Sequence, residues 1–168
     1  ETDECELPMQ QYFVRRRAQP KVAAVRYHGA GAARPSPGLK TALDSAKIMV
    51  ICPSNPALSV GPILAVPGIR ESLKAFAGPR VAVSPIVEGD AVKGPAGKIM
   101  AELGLEVSVV GVARQYRDIC DHLVIDRRDE KLAQAVADAG LTPIVTNTIM
   151  ESLEDKTTLA REILALLK

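Results

Sequence analysis

Four short apolar runs, rich in β-branched residues, stand out along the chain. Each ends in polar or Pro/Gly residues, and a helical pattern follows. Runs of this kind are typical of strands that are buried on both faces, as in a parallel sheet. The alternation of strand and helix predicts a doubly wound, mostly parallel, Rossmann-like α/β sheet with helices on both faces. The predicted strands are 48–52, 81–83, 123–125 and 144–145.

The segments between these strands carry helical spacing and helix-boundary signals. Pro95 precedes an apolar stripe that stops at Gly104, the usual order of proline and glycine at helix ends. Asp129 is expected to cap the next helix, and Thr148 with Glu151 forms a capping-box pattern that opens the last one. Helices are therefore predicted within 69–76, 95–104, 109–119, 129–140 and 148–167.

The first part of the chain has a different pattern. Two runs, 10–17 and 21–28, flank a short turn, and the second holds the strand-forming residues Val22, Val25 and Tyr27. We therefore predict an N-terminal β-hairpin within residues 1–29. Residues 30–38 form a loop by composition, and 39–168 form the α/β layer of the same single domain.

Composition narrows the function classes. The 168 residues carry a net charge of +1 and only 3% aromatic residues, which argues against nucleic acid as a partner. No apolar run approaches the roughly 18–20 residues needed to cross a bilayer, so no membrane partner is expected. Three widely spaced cysteines form no zinc-site pattern and predict reduced thiols in a cytoplasmic protein.

Small polar residues follow each predicted strand. Because ligands of open parallel sheets bind beyond the carboxyl ends of the strands, these residues are candidates for a nucleotide or phosphate crevice. Taken singly, each is typical of an ordinary turn or cap, whereas the set on one edge favours a ligand site. The candidates are Ser54 and Asn55 after the first strand, Ser84, Pro85 and Ile86 after the second, Asp126 after the third and 146–148 after the fourth.

A Gly-rich segment at 89–98 enters a predicted helix and carries Lys93 and Lys98, a combination that favours an anion. It is not a Walker A loop, because Pro95 follows Gly94, and the chain contains no Gly-x-Gly-x-x-Gly fingerprint. A flexible surface loop remains the alternative for this segment. The pair Asp118 and Asp121 is better explained as a solvated helix end than as a metal site.

Several longer motifs resemble the 2-phospho-L-lactate transferase family, from residue 2 to about residue 164. One is the run Ile-Cys-Pro-Ser-Asn-Pro at 51–56 and another is Ala-Val-Lys-Gly-Pro-Ala at 91–96. Further matching segments are 60–70, 83–87, 124–126, 148–150 and 154–156.

The resemblance implies a role in the biosynthesis of coenzyme F420. Members of the family transfer a phospholactyl or phosphoenolpyruvyl group from a guanosine diphosphate donor to the deazaflavin FO, with release of GMP. The resemblance also implies Mg²⁺ as cofactor and a homodimer. It assigns Ser54 and Asn55 to the guanosine donor and Ser84, Pro85 and Ile86 to its base or ribose. Lys93 and Lys98 are candidates for phosphate contacts.

The sequence departs from the family pattern at its start. Full-length members open with a strand and a Gly-Gly-Thr-Gly-Gly loop, followed by acidic residues tied to magnesium and deazaflavin binding, and none of these motifs occurs here. The resemblance therefore implies the C-terminal part of an incomplete domain. We expect the catalytic residues and metal ligands to lie outside this chain, and the chain alone to be inactive. The alternatives are a non-catalytic nucleotide- or nucleotide-sugar-binding regulator of the same fold and a self-sufficient nucleotide-binding or dimerisation module.

Overall fold

The computed structural model describes residues 1–167 and is built on a parallel sheet of four strands in the order β1–β2–β5–β6. All three strand pairs run parallel, as the buried β-branched runs predict. The four predicted strands are therefore confirmed, with boundaries that differ by at most two residues at either end. Their bounds are Met49–Ile51 for β1, Arg80–Val83 for β2, His122–Asp126 for β5 and Thr142–Thr146 for β6.

Helices cover both faces of this sheet. On one face, Leu123 and Ile125 of the central strand β5 join the main core with side chains from three helices. On the other face, Val124 packs with Leu159 and Ile163 of the last helix. The doubly wound α/β prediction is thus confirmed. The α-helices are α1 (Pro37–Ser45), α2 (Gly61–Leu64), α3 (Ile69–Lys74), α4 (Ala96–Glu102), α5 (Val109–Tyr116), α6 (Ala133–Asp138) and α7 (Leu153–Leu164).

The predicted N-terminal β-hairpin is wrong. Gln11–Arg15 forms a π-helical segment, and Val22 makes only an isolated antiparallel bridge to Thr2. Tyr12, whose side chain is buried, packs with Val22 and with Ile99 of α4. Tyr12 is therefore buried as part of a helical segment. Tertiary packing at this position outweighs the strand propensity of the neighbouring aromatic and β-branched residues.

An antiparallel hairpin does occur, but later in the chain. Strands β3 (Ile86–Val87) and β4 (Asp90–Ala91) pair across a two-residue turn at Glu88 and Gly89. Both turn residues have positive φ, 52° and 79°, as the tight hairpin turn requires. The hairpin leads through the loop at 92–95 into α4, so the Gly-rich segment 89–98 runs from a hairpin turn into the first turn of a helix.

Two helix starts differ from their predictions. Asp129 does not cap α6; Asp126 instead caps the 3₁₀ segment Arg127–Leu132 by accepting a hydrogen bond from the Arg128 backbone N–H. The capping box of α7 is formed by Ser152 and Asp155, four residues after the predicted pair. In both cases the predicted capping side chain bonds elsewhere in the fold.

Candidate functional site

Asn55 organises the turn that follows β1. Its Oδ1 accepts hydrogen bonds from the backbone N–H groups of Ala57 and Leu58, both at 3.0 Å, and so caps the π-helical segment Pro56–Val60. These two donors fix the orientation of the amide, because only the oxygen can accept from them. The Nδ2 atom is left buried and has no hydrogen-bond partner within residues 1–167.

A cavity of about 220 Å³ lies beside Asn55. Its walls come from three parts of the chain: the turn after β1, the 93–96 segment that enters α4, and the exposed side chains of Met9 and Phe13. Two residues predicted to bind the donor, Asn55 and Lys93, therefore line the same cavity. Their roles remain predictions, but the fold brings them together from distant points of the sequence.

The serine after β2 is buried in its own turn. Ser84 donates through Oγ to the Ile86 carbonyl at 2.9 Å and accepts from the Ile86 N–H at 3.1 Å. Pro85 and Ile86 are buried as well, and Ile86 is fully enclosed in strand β3. None of these three residues lines the Asn55 cavity, and neither does the half-buried Ser54. Their predicted donor contacts remain untested.

Lys98 lies in α4, where its ammonium group is engaged within the protein. It donates to the carbonyl oxygen of Pro20 at 2.8 Å and forms an ion pair with Glu102, one turn further along the helix, at 2.6 Å. It also lies 5.9 Å from the centre of the Tyr12 ring. These contacts tie α4 to the N-terminal segment, so Lys98 has a structural role besides its predicted one.

Asp126, at the carboxyl end of β5, is buried and held by three hydrogen bonds. The residue is 3% exposed, and its carboxylate accepts from Thr148 N at 2.9 Å, from Thr148 Oγ1 at 3.2 Å and from Arg128 N at 3.1 Å. Burial raises the pKa of Asp126, but these donors outweigh burial, and the net pKa lies below its usual value. Asp126 thus joins the end of β5 to the loop after β6.

A second buried carboxylate, Asp129, holds the β3–β4 turn. Both of its oxygens accept from the Glu88 backbone N–H, at 3.2 and 3.0 Å. Burial raises the pKa of Asp129, and the single backbone donor only partly offsets this effect. The two carboxylates together connect the β3–β4 turn and the segments that follow β5 and β6 into one rim.

The described residues do not assemble a metal site. Within 1–167 no group of three or more His, Cys, Asp or Glu side chains could hold an ion. Asp118 pairs with Arg70 and Lys74, and Asp121 pairs with Arg80, so both carboxylates are neutralised by cations. The same part of the chain contains no helix long and apolar enough to cross a membrane.

Sequence reasoning missed Met9 and Phe13 as site residues because it assigned their segment to a hairpin. No spacing signal links them to Asn55, since only the folded chain brings the segments together. The ties made by Asp126 and Asp129 were missed as well. Asp126 was a strand-end candidate and Asp129 a predicted helix cap, but no local signal indicated that they bond to Thr148 and Glu88.

Comparison with known proteins identifies the family. The model of the family described as 2-phospho-L-lactate transferase CofD matches residues 1–163. The chain belongs to this family. It is 40% identical over 158 residues to a 2-phospho-L-lactate transferase of Methanocaldococcus jannaschii, covering 94% of this chain and 49% of that protein. A phosphoenolpyruvate transferase of Kitasatospora aureofaciens is 39% identical over the same shares of both chains.

The chain spans about half the length of the curated relatives it matches. A solved structure of a Bacillus halodurans protein is similar in fold, with a TM-score of 0.51 and 19% sequence identity. That similarity covers 78% of this chain and 47% of the other. The α/β fold is therefore supported independently of close sequence similarity.

Proposed function

We propose that the protein contributes to the transfer of a phospholactyl or phosphoenolpyruvyl group from a guanosine diphosphate donor to the deazaflavin FO in coenzyme F420 biosynthesis. Membership of the CofD family over residues 1–163 is the observation that carries this proposal. Relatives named for either transferred group are nearly equally similar, so the proposal includes both.

The reaction is an attack on phosphorus. The terminal hydroxyl oxygen of FO forms a bond to the phosphorus that carries the lactate or enolpyruvate group through its C2 oxygen, the bond from that phosphorus to the bridging oxygen of the diphosphate breaks, and GMP leaves while the hydroxyl proton is released. Such a step depends on alignment of the reactants and on stabilisation of the phosphate charge. We assign donor binding to Ser54, Asn55 and Lys93, with Ser84, Pro85, Ile86 and Lys98 as further candidates.

Mg²⁺ is implied by the family resemblance, but the residues described here provide no carboxylate cluster for it. We therefore assign no metal ligand within 1–167 and no step of the reaction to the ion. The homodimer is likewise a proposal, which light scattering of the purified protein tests.

Nucleotide titration tests the proposal. The purified chain is titrated calorimetrically with GDP, GMP and a uridine-diphosphate sugar, and we expect guanosine nucleotides to bind at least tenfold more tightly. Asn55→Ala removes the side chain that caps the Pro56–Val60 segment beside the cavity, and we expect it to weaken GDP binding by about fivefold, which corresponds to about 1 kcal/mol. Gln134→Ala is the matched control, because Gln134 is an exposed amide side chain of α6 that bonds to Asp138 and does not line the cavity.

Tighter binding of the uridine nucleotide would favour a regulator of the same fold over a transferase. Catalysis has a separate readout, in which donor, FO and Mg²⁺ are mixed with the protein and GMP release is followed. Binding of GDP with no GMP release would assign donor recognition to the chain and leave the transfer step to residues outside it.

A further inference from the structure

We propose that Glu102 is a positioning residue for the cavity beside Asn55. Its carboxylate holds segment 9–22, which carries one wall of that cavity, against α4, whose entry carries the opposite wall. Glu102 itself does not line the cavity, so it acts through the residues that do. The inference rests on the proposed function, because it assigns to Glu102 an effect on the binding of the guanosine diphosphate donor.

The first argument is the set of contacts that one carboxylate makes. Glu102 Oε2 accepts a hydrogen bond from the backbone N–H of Val22 at 2.9 Å, although 80 residues separate the two in sequence. The same carboxylate pairs with the ammonium group of Lys98 through Oε1 at 2.6 Å. The Glu102 side chain is only 15% exposed, so these charge-assisted bonds are largely shielded from water. Glu102 therefore forms a polar junction between α4 and segment 9–22.

The second argument is that Lys98 extends this junction. Its ammonium group also donates to the carbonyl oxygen of Pro20 at 2.8 Å and lies 5.9 Å from the centre of the Tyr12 ring. Burial lowers the pKa of Lys98, but Glu102 and Tyr12 outweigh burial, and the net pKa is raised. The ammonium group thus stays charged at neutral pH, and two opposite charges on successive turns of α4 hold the same segment.

The third argument is that the joined elements carry the two walls of the cavity. Met9 and Phe13 of segment 9–22 line one side, and Lys93 and Ala96 at the entry to α4 line the other. The remaining packing between the segment and the helix is apolar. Apolar contacts are non-directional, whereas hydrogen bonds have a preferred geometry. The junction at Glu102 therefore sets how the two walls face each other.

The sign of the change in affinity separates positioning from a direct effect of charge. If Glu102 acted only through its charge, its removal would tighten the binding of the GDP anion, because like charges repel. Loss of a positioning contact weakens GDP binding instead. The two explanations therefore predict opposite results for the same substitution.

Three variants of the full chain provide the test. Glu102→Met keeps the length of the side chain but removes both the charge and the hydrogen-bond acceptor. Glu102→Gln removes the charge but keeps an oxygen that can accept from the Val22 N–H. Glu71→Met is the matched control, because Glu71 is an exposed glutamate of α3 that does not line the cavity.

GDP binding is measured by calorimetry, with thermal unfolding showing that each variant is folded at the titration temperature. We expect Glu102→Met to raise the dissociation constant for GDP by about fivefold. Glu102→Gln and Glu71→Met should stay within about twofold of the unmodified chain. Unchanged or tighter GDP binding in Glu102→Met overturns the proposal. Equal weakening in Glu102→Met and Glu102→Gln also overturns it, because the retained acceptor oxygen would then have no effect.

Hydrogen exchange gives a second readout that needs no ligand. In Glu102→Met we expect the backbone amides of segment 9–22 to exchange at least about tenfold faster, while those of β5 keep their rates. Unchanged exchange in segment 9–22 overturns the junction and leaves the proposed function standing. Failure of the unmodified chain to bind GDP contradicts the proposed function, and the exchange rates then decide on the junction by themselves.

Discussion

At the scale of single residues, the strand-end rim depends on Asp126. The carboxylate satisfies three donors from two different loops, and removing it leaves the two buried Thr148 donors and the partly buried Arg128 N–H without this partner. Because each unsatisfied donor costs roughly 1–3 kcal/mol, we expect Asp126→Ala to lower the free energy of unfolding by at least about 2 kcal/mol. Urea unfolding at neutral pH measures this loss. Asp44→Ala, an exposed aspartate of α1, should change stability by less than about 0.5 kcal/mol.

Asp126 and Asp129 should show opposite pH dependences, because their pKa values are shifted in opposite directions. The lowered pKa of Asp126 means that its stabilisation is present above the unfolded-state pKa, about 3.9, and is lost as pH falls through the folded-state value. The raised pKa of Asp129 means that its ionisation opposes folding, so its contribution becomes less favourable as pH rises from about 3.9 through the folded-state value.

Asparagine substitutions isolate these two effects. Relative to the unmodified protein, the stability of Asp129→Asn should rise as the pH is taken from about 3 to 7, whereas that of Asp126→Asn should fall. Urea titrations at several pH values give both differences in unfolding free energy. Parallel trends for the two variants would contradict the assignment of burial to Asp129 and of hydrogen bonding to Asp126.

At the scale of elements, α7 illustrates how a helix start is set by its surroundings. The capping box pairs Ser152 Oγ with the Asp155 N–H at 3.1 Å and the Asp155 carboxylate with the Ser152 N–H at 2.8 Å. We expect Ser152→Ala to cost about 1 kcal/mol, the typical loss of a serine cap. Denaturant unfolding tests this, with Glu162, an exposed residue in the last turn of α7, changed to alanine as the control. Equal effects of the two substitutions would contradict a capping role.

The shift of that helix start has a physical cause that the sequence does not display. Thr148 has the residue type and spacing of a cap, but its hydroxyl bonds to Asp126, more than twenty residues away. Likewise, Asp129 resembles a cap but accepts from Glu88 in the hairpin turn. The local sequence indicates which side chains can form a hydrogen bond with a backbone group. Which partner they bond depends on contacts between distant parts of the chain.

The strands, in contrast, could be predicted because their pattern is visible in the local sequence. The run 123–125 is apolar at every position and β-branched at two of them, and such a short run bounded by polar residues is typical of a strand buried on both faces of a sheet. The site was predictable only in part. The strand-end rule indicated Asn55, and the Gly-rich segment indicated Lys93. The wall formed by Met9 and Phe13 depends on a π-helical N-terminal segment, which the hydrophobic pattern of the sequence did not predict.

At the scale of the whole molecule, stability should depend on both faces of the sheet at once. Leu123 is fully buried on the face covered by α4, α5 and α6, and Leu159 of α7 is 4% exposed on the opposite face. Truncating either to alanine removes buried apolar volume and leaves a cavity, which costs about 2–5 kcal/mol. Leu153, at the start of α7, is 78% exposed and is the matched control.

We therefore expect Leu123→Ala and Leu159→Ala each to lower the free energy of unfolding by about 2–5 kcal/mol, and Leu153→Ala to change it by less than about 0.5 kcal/mol. Because the two buried leucines lie in different core clusters, the double variant should lose approximately the sum of the single losses. Urea unfolding followed by far-ultraviolet circular dichroism gives all four values. A small loss for Leu159→Ala, equal to that of Leu153→Ala, would mean that α7 does not form part of the cooperative core.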